Sequence, residues 1–332
     1  MSNEAIREEV IRDVDSILFD EIEDGKRHEF DLVGFDRADG GPCIVPVHVL
    51  AGRGPRPRLV AIAGVHGDEP DGMLALLNAS SAIAPASLRG RLITVPIAHP
   101  PAFAAGQRRS PIDGLDLNRV FPGSPEGMPT ERLAHCLFDK VIRHADFVFT
   151  LHSWYATGTV LPFVEVMDDS SSIAIASLAA ARASGFERIR LTNWPIGLLV
   201  RVANSVGIPG MEAEIGDSGI SSPENQTRYR NHLDRVLSHL GMIEVSPPEQ
   251  DVSPETFRGH HLRSSVAGIL QMNVSLGEEV RENTLVADVK DIHGRPIGAI
   301  RSTTAGRIVS RRSYGSVTVG DIVATVFSRI PD

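Results

Sequence analysis

Only two cysteines, Cys43 and Cys136, occur among the 332 residues, far apart and in no metal-type spacing. They fit buried or half-buried thiols in a reducing compartment. No run approaches the roughly 18 consecutive apolar residues of a membrane helix, so no membrane partner is expected. The opening Met-Ser-Asn-Glu-Ala-Ile-Arg-Glu-Glu lacks the basic and apolar stretches of a signal peptide. A cytoplasmic location is the resulting expectation. Basic charge is also short: the net charge of −9 argues against nucleic acid as the main partner, which needs a basic face. The first 26 residues hold nine acidic and three basic side chains, the pattern of a solvated helix face and not of a binding tail. What is present is an ordinary globular composition, 42% apolar and 23% charged, in a chain long enough for a large core and two domains.

Ile6, Val10, Ile11, Val14, Ile17 and Leu18 fall at helical spacing and predict an amphipathic helix over 4–18. Strands are expected at 28–35 and 43–50, joined by the turn Asp39-Gly40-Gly41-Pro42, and again at 58–64. A helix from Gly72, with Pro70 near its start, and a strand from Arg91 follow. A long polar loop is expected over 99–128, a length that usually carries function. Helices at 131–144, 171–185 and 224–240 then alternate with strands at 146–152 and around Met211. This alternation predicts an α/β fold with a mixed sheet covered on both faces.

Composition changes at the proline-rich stretch Ser246-Pro-Pro-Glu-Gln-Asp-Val-Ser-Pro-Glu. Beyond it, short Val/Ile strands are separated by glycine turns, the mark of a smaller all-β module. The expected division is a catalytic domain at 1–245, a linker at 246–258 and a C-terminal β domain at 259–332. Within the last, Val-Ala-Gly-Ile-Leu near 266 and Thr-Ala-Gly-Arg-Ile-Val near 304 suggest a sandwich of two similar halves.

The chemistry gathers at strand ends. Leu59-Val-Ala-Ile-Ala-Gly-Val runs into His66-Gly-Asp-Glu69, and Asp146-Phe-Val-Phe-Thr-Leu runs into His152. A strand end fixes a side chain well, and His with Glu supplies two of the three protein ligands of a His2Glu zinc site. Alone, the first segment reads equally as a polar turn; the second histidine makes a coherent site. The long loop holds Arg108, Arg109, Asp116, Asn118 and Arg119, and its Asn118-Arg119 pair reads either as a clamp for a substrate carboxylate or as a surface arginine in an exposed ion pair worth about 0–1 kcal/mol. Glu214 closes the strand around Met211. Glu212 shares its face but lies further from the carboxyl end, so position favours Glu214 as a proton-handling group. The remaining histidines match no ligand motif and read as surface or internally satisfied residues; His260-His261 is their only adjacent pair.

His66-Gly-Asp-Glu69, Asp116-Leu-Asn118-Arg119, Leu151-His152-Ser153 and Glu214-Ile-Gly216 together resemble the succinylglutamate desuccinylase/aspartoacylase family, from about residue 30 to the end. Within it, Arg108-x-Ser-Pro-Ile-Asp-Gly looks most like bacterial deacylases of N-acyl amino acids, such as the N-acetyl-diaminobutyrate deacetylases. The resemblance implies a zinc-carboxypeptidase-like fold with an added C-terminal β domain. It further implies one Zn2+ per chain on His66, Glu69 and His152, and Glu214 as general base. Arg108 would polarise the scissile carbonyl, Asn118 and Arg119 would hold the substrate carboxylate, and Asp116 would accept a hydrogen bond from His66. The doubled Arg108-Arg109 departs from the single arginine common in these deacylases, which leaves the oxyanion role open to either and makes Arg109 a candidate for substrate binding. The bulky Trp154-Tyr155 after the third ligand departs as well. The expected activity is deacylation of a small N-acylated amino acid or diamino acid. A metallocarboxypeptidase acting on short peptides and a non-catalytic ligand-binding relative are the rival readings. A small-molecule substrate is the expected partner, and a homo-oligomer stays open because nothing separates an interface face from a solvated one.

Overall fold

The computed structural model describes residues 11–12, 19–154, 157–217, 219–244 and 253–331. Strands β1 (Ile11–Arg12), β2 (Arg27–Asp36), β3 (Pro42–Ala51) and β4 (Arg53–Ala63) lead into helix α1 (Pro70–Ala82). Next come β5 (Arg89–Val95), α2 (Pro100–Ala105), α3 (Pro129–Lys140) and β6 (Phe147–His152). After β7 (Gly158–Val160), β8 (Phe163–Met167), α4 (Ser172–Ala183) and β9 (Arg188–Thr192) follow α5 (Leu199–Ser205), β10 (Gly210–Glu214) and α6 (Pro223–His239). The C-terminal part is β throughout: β11 (Glu255–Arg263), β12 (Gly268–Met272), β13 (Glu279–Val280), β14 (Leu285–Lys290), β15 (Pro296–Arg301), β16 (Gly306–Arg312), β17 (Ser316–Val317) and β18 (Ile322–Arg329). Among the described residues no helix is long and apolar enough to cross a membrane.

The mixed sheet expected from the alternation is present, in the order β1-β2-β3-β5-β4-β6-β10-β8-β9-β11-β18-β16-β13. Its centre, β5-β4-β6-β10, is parallel. Parallel strands are covered on both faces, which is why 59–63 and 147–149 read as unbroken apolar runs. Alternate residues serve opposite layers. Val60, Ile62 and Val148 pack with Leu133 and Leu137 of α3 and Leu199 and Val200 of α5. Leu59, Ala61, Phe147 and Phe149 pack with Leu76 of α1, Ala180 of α4 and Leu233 and Val236 of α6. A second sheet, β15-β14-β12-β17, contributes Leu270, Val286 and Val289 to a core shared with Leu262, Ile308 and Val326 of the large sheet. The two recurring phrases open β12 and β16, one in each sheet.

Several expectations shift. The helix expected over 4–18 lies outside the described residues except for Ile11–Arg12, which pair in parallel with Phe30 and Asp31 as a strand. The loop over 99–128 contains α2 and a 3-10 turn, Leu117–Arg119. Pro100 and Pro101 open α2, where a first-turn N–H has no helical partner and proline is tolerated, and His99 Nδ1 caps the helix by accepting from Ala102 N at 3.3 Å. The helix at 131–144 breaks at Val141, whose ψ of −61° accompanies a φ of −129°, and finishes as a 3-10 turn. Part of the expected linker lies outside the described residues; β11 already begins at Glu255 and pairs in parallel with β9 through Glu255/Arg188, Thr256/Ile189 and Phe257/Arg190. One sheet thereby runs through both parts of the chain.

Candidate metal centre

Register places three strand ends side by side. Ala63 at the end of β4 pairs with Leu151 of β6, and His152 pairs with Glu214 at the end of β10. Beyond Ala63 the chain turns through Gly64, whose φ of 64° favours glycine, and delivers His66. Gly67 packs so closely on α2 that a Cβ there would stand 2.0 Å from the Ala102 carbonyl carbon. This turn therefore has one seat against α2, and it ends with Glu69 immediately before Pro70 opens α1.

His66, Glu69 and His152 are all buried. Glu69 bridges the rings: Oε1 lies 2.7 Å from His66 Nδ1 and Oε2 lies 2.8 Å from His152 Nδ1. The two Nδ1 atoms are 3.2 Å apart, and Ser153 N donates to Glu69 Oε2 at 3.2 Å. Zinc bonds of about 2.0–2.1 Å to nitrogen and oxygen place tetrahedral ligand atoms ~3.3 Å apart, so this N, N, O set fits such an ion. Burial works against the charge on His152, but Glu212 and then Glu69 overcome it and lift its pKa to about 10. Burial likewise opposes the Glu69 carboxylate, which His66 and His152 nevertheless hold below the ordinary range.

Asp116 sits where a second carboxylate was expected. It accepts from His66 Nε2 at 3.3 Å through Oδ1 and from Arg108 Nε at 3.2 Å through Oδ2. Burial opposes its charge, yet His66 and then Arg108 hold its pKa below the ordinary range. Arg108 also places Nη1 3.3 Å from His66 Nδ1 and 3.4 Å from Glu69 Oε1. Arg109 turns away: it is exposed and donates to Gly114 O at 3.3 Å. Arg119 is exposed and donates to the Asn118 carbonyl at 2.7 Å.

Asn118, expected beside Arg119 on a substrate carboxylate, is buried instead. Its Nδ2 donates to Glu212 Oε2 at 3.2 Å and its Oδ1 accepts from Leu199 N at 3.0 Å. Glu214 is half-buried at the strand end, with Oε2 out of solvent and without a hydrogen-bond partner among the described residues. Burial, followed by Glu69, pushes its pKa well above the ordinary range. Trp154 is buried with Val160, Phe163, Val309 and Phe327, and Tyr155 lies outside the described residues.

Two contributors were not assigned these roles from the sequence. Glu212 is buried, with Oε2 3.5 Å from His152 Nε2. The alternation that put it on the Glu214 face was the available signal, since a carboxylate buried there needs a partner. Tyr229 of α6 donates its hydroxyl to the His152 carbonyl and accepts from Ile215 N at 3.0 Å, clamping the ends of β6 and β10 together. Nothing local marks it, because its partners lie on distant strands.

Beside the metal turn, a cavity of about 380 Å³ is lined by Asp68 and Arg108 on one wall and by Arg263, Arg312 and Asp321 of the β part on the other. A larger cavity of about 1010 Å³ opens at the amino ends of β4 and β5, among Arg53, Arg89 and Arg235, and touches none of the site residues.

A model of the succinylglutamate desuccinylase/aspartoacylase catalytic domain matches residues 55–240. N-alpha-acetyl-L-2,4-diaminobutyric acid deacetylase of Halomonas elongata is 31% identical over 316 residues, covering 91% of this chain and 92% of that one. Among solved structures, the product-bound ectoine utilization protein EutE (DoeB) of Ruegeria pomeroyi superposes with a TM-score of 0.85 at 29% identity, over 92% of this chain and 96% of that one. A succinylglutamate desuccinylase/aspartoacylase of Rhodobacter sphaeroides does so with a TM-score of 0.87 at 26% identity, over 95% and 98%.

Proposed function

Since the chain belongs to the succinylglutamate desuccinylase/aspartoacylase family and is a hydrolase acting on amide bonds, we propose that it deacylates a small N-acylated amino acid or diamino acid, with zinc held by His66, Glu69 and His152. The observation that carries this reading is the meeting of these three side chains, with ligand atoms within 4.8 Å of one another, on strand ends that pair His152 with Glu214, whose Oε2 has no hydrogen-bond partner among the described residues. Zinc bound there supplies Lewis acidity, which polarises a carbonyl and acidifies water.

The chain's own groups do the rest. Glu214, its proton affinity raised by burial, takes a proton from the attacking water and passes it to the departing amine nitrogen. Arg108 stands over the ligand turn and faces the charge that develops on the acyl oxygen, a contribution of about 3–4 kcal/mol for such a donor. Asp116 holds the His66 ring and the Arg108 guanidinium in a fixed relation. The adjoining cavity of about 380 Å³ suits a small acylated amino acid. Its Arg263 and Arg312, together with Arg119 at the loop, supply cationic groups for a substrate carboxylate. The β domain proposed at 259–332 forms one wall and narrows the mouth against folded peptides.

The test is release of free amine from a panel of N-acyl amino acids and diamino acids by the zinc-loaded protein, with Glu214→Gln in parallel. One member should be cleaved, and the variant should be slower by about 10²–10⁴-fold. Cleavage of blocked dipeptides alone would replace the deacylase reading by a carboxypeptidase one. Equal activity in the variant would remove Glu214 from the reaction.

A further inference from the structure

We propose that Glu212 and Asn118 are positioning residues: Glu212 braces the His152 ring from behind, and Asn118 ties that brace to the one behind His66. The inference rests on the metal-binding reading of His66, Glu69 and His152.

A histidine that binds metal through Nδ1 must carry its hydrogen on Nε2, and a partner for that N–H fixes both tautomer and ring orientation. His66 has such a partner in Asp116, at 3.3 Å from Nε2. His152 Nε2 is buried and makes no hydrogen bond among the described residues, and the Glu212 Oε2 atom stands 3.5 Å from it. A tilt of a few tenths of an ångström in the ring, as Nδ1 seats on a metal, closes that gap. Hydrogen bonds of this kind are often long in the unliganded state.

Glu212 is itself held. Leu199 N donates to Asn118 Oδ1 at 3.0 Å, which orients the amide so that its NH2 faces Glu212 Oε2 at 3.2 Å. The backbone N–H of the same Asn118 donates to Asp116 Oδ1 at 3.0 Å. One residue thus touches the carboxylates behind both rings, and the chain His66–Asp116–Asn118–Glu212–His152 closes around the metal position. This arrangement uses Asn118 from inside the protein. It also separates the two carboxylates of β10: Glu214 at the strand end handles protons, while Glu212 lies behind the imidazole, on the side away from Nδ1.

Zinc affinity of the metal-free full-length protein, measured by competition with a chromophoric chelator, tests the proposal. Glu212→Gln and Asn118→Ala should each raise the zinc Kd by about 10–100-fold. Their KM at saturating zinc should stay within about twofold of the parent. The visible spectrum of the Co2+-loaded protein should shift in both. Unchanged zinc Kd in both variants overturns the brace. A raised KM with unchanged zinc Kd in Asn118→Ala also overturns it and returns Asn118 to the substrate. The isosteric Glu212→Gln decides the matter if Asn118→Ala does not fold. Failure of the parent protein itself to take up zinc is a different result, which overturns the metal reading first and the brace with it.

Discussion

His152 at the end of β6 and His261 in β11 belong to one sheet, yet their neighbours have opposite charge. Glu69 and Glu212 face His152 and, against the effect of burial, lift it to about 10. His261 falls to about 4, through burial first and the Arg190 guanidinium second. Arg190 Nη2 donates to His261 Nε2 at 3.1 Å, so the hydrogen sits on Nδ1, which meets Thr325 Oγ1 at 3.0 Å. Arg190 is in turn paired with Glu165 at 2.5 Å, and Trp194 donates to the other Glu165 oxygen at 2.8 Å. Both histidines are enclosed by polar groups. One is surrounded by anions and suits a cation; the other is a neutral link in a junction between β9, β11 and β18.

Removing the cation nearest the first histidine pair gives the largest expected effect. Arg108→Ala should lower kcat by about 100–1000-fold, whereas the outward-turned Arg109→Ala should stay within about twofold. Equal losses in steady-state assays would mean that the fork of Arg108 does not distinguish the two. Proton release sharpens the contrast next. Below about 10 the His152 ring is charged in the metal-free protein. Its charge therefore adds stability below the ordinary value of 6.5, which is lost as pH rises through about 10. On the proposed reading zinc displaces that proton, so uptake at about pH 8 should release at least about one proton, and apparent affinity should climb with pH. Calorimetry in buffers of differing ionisation enthalpy reads this; no release would contradict the anionic surroundings of His152.

The junction histidine gives the smallest effect and the opposite sign. The unfolded chain protonates His261 below 6.5, while the folded protein resists until about 4, so stability is lost as pH falls across that interval and is retained above it. Glutamine can accept from Arg190 and donate to Thr325 without titrating. His261→Gln should therefore lose roughly 1 kcal/mol less stability than the parent between about pH 7 and about pH 5, after allowance for partial exposure. Urea unfolding at the two pH values would show it, and identical losses would detach His261 from acid sensitivity.

The metal turn was legible because a buried parallel strand is an unbroken apolar run, and the first polar residues after it stand at its carboxyl end. That reasoning singled out His66, Glu69, His152 and Glu214 as candidates, and the structure brings the ligand atoms of the first three within 4.8 Å of one another. Alternation gives Glu212 and Glu214 one shared face, and only position along the strand favoured Glu214; the side chain that meets Glu212, Asn118, lies 94 residues away. The Asn-Arg pair read as a joint clamp for the same reason. Neighbours in sequence on a tight 3-10 turn can point apart, and Asn118 went inward while Arg119 stayed at the surface. Helix α2, six residues long, is too short to show an apolar period, and the burial of Trp154 depended on Phe327, which comes from the far end of the chain.

The pairing of β9 with β11 has a mechanical consequence. Hydrogen bonds of a β ladder do not stretch, so the wall carrying Arg263 and Arg312 is riveted to the frame that carries the metal turn. A clamshell movement between the two parts would have to break the ladder at Glu255–Phe257. On the proposed reading the cavity between them is framed by fixed backbone, and whatever adjustment a ligand needs falls to side chains and to the loops around the rim.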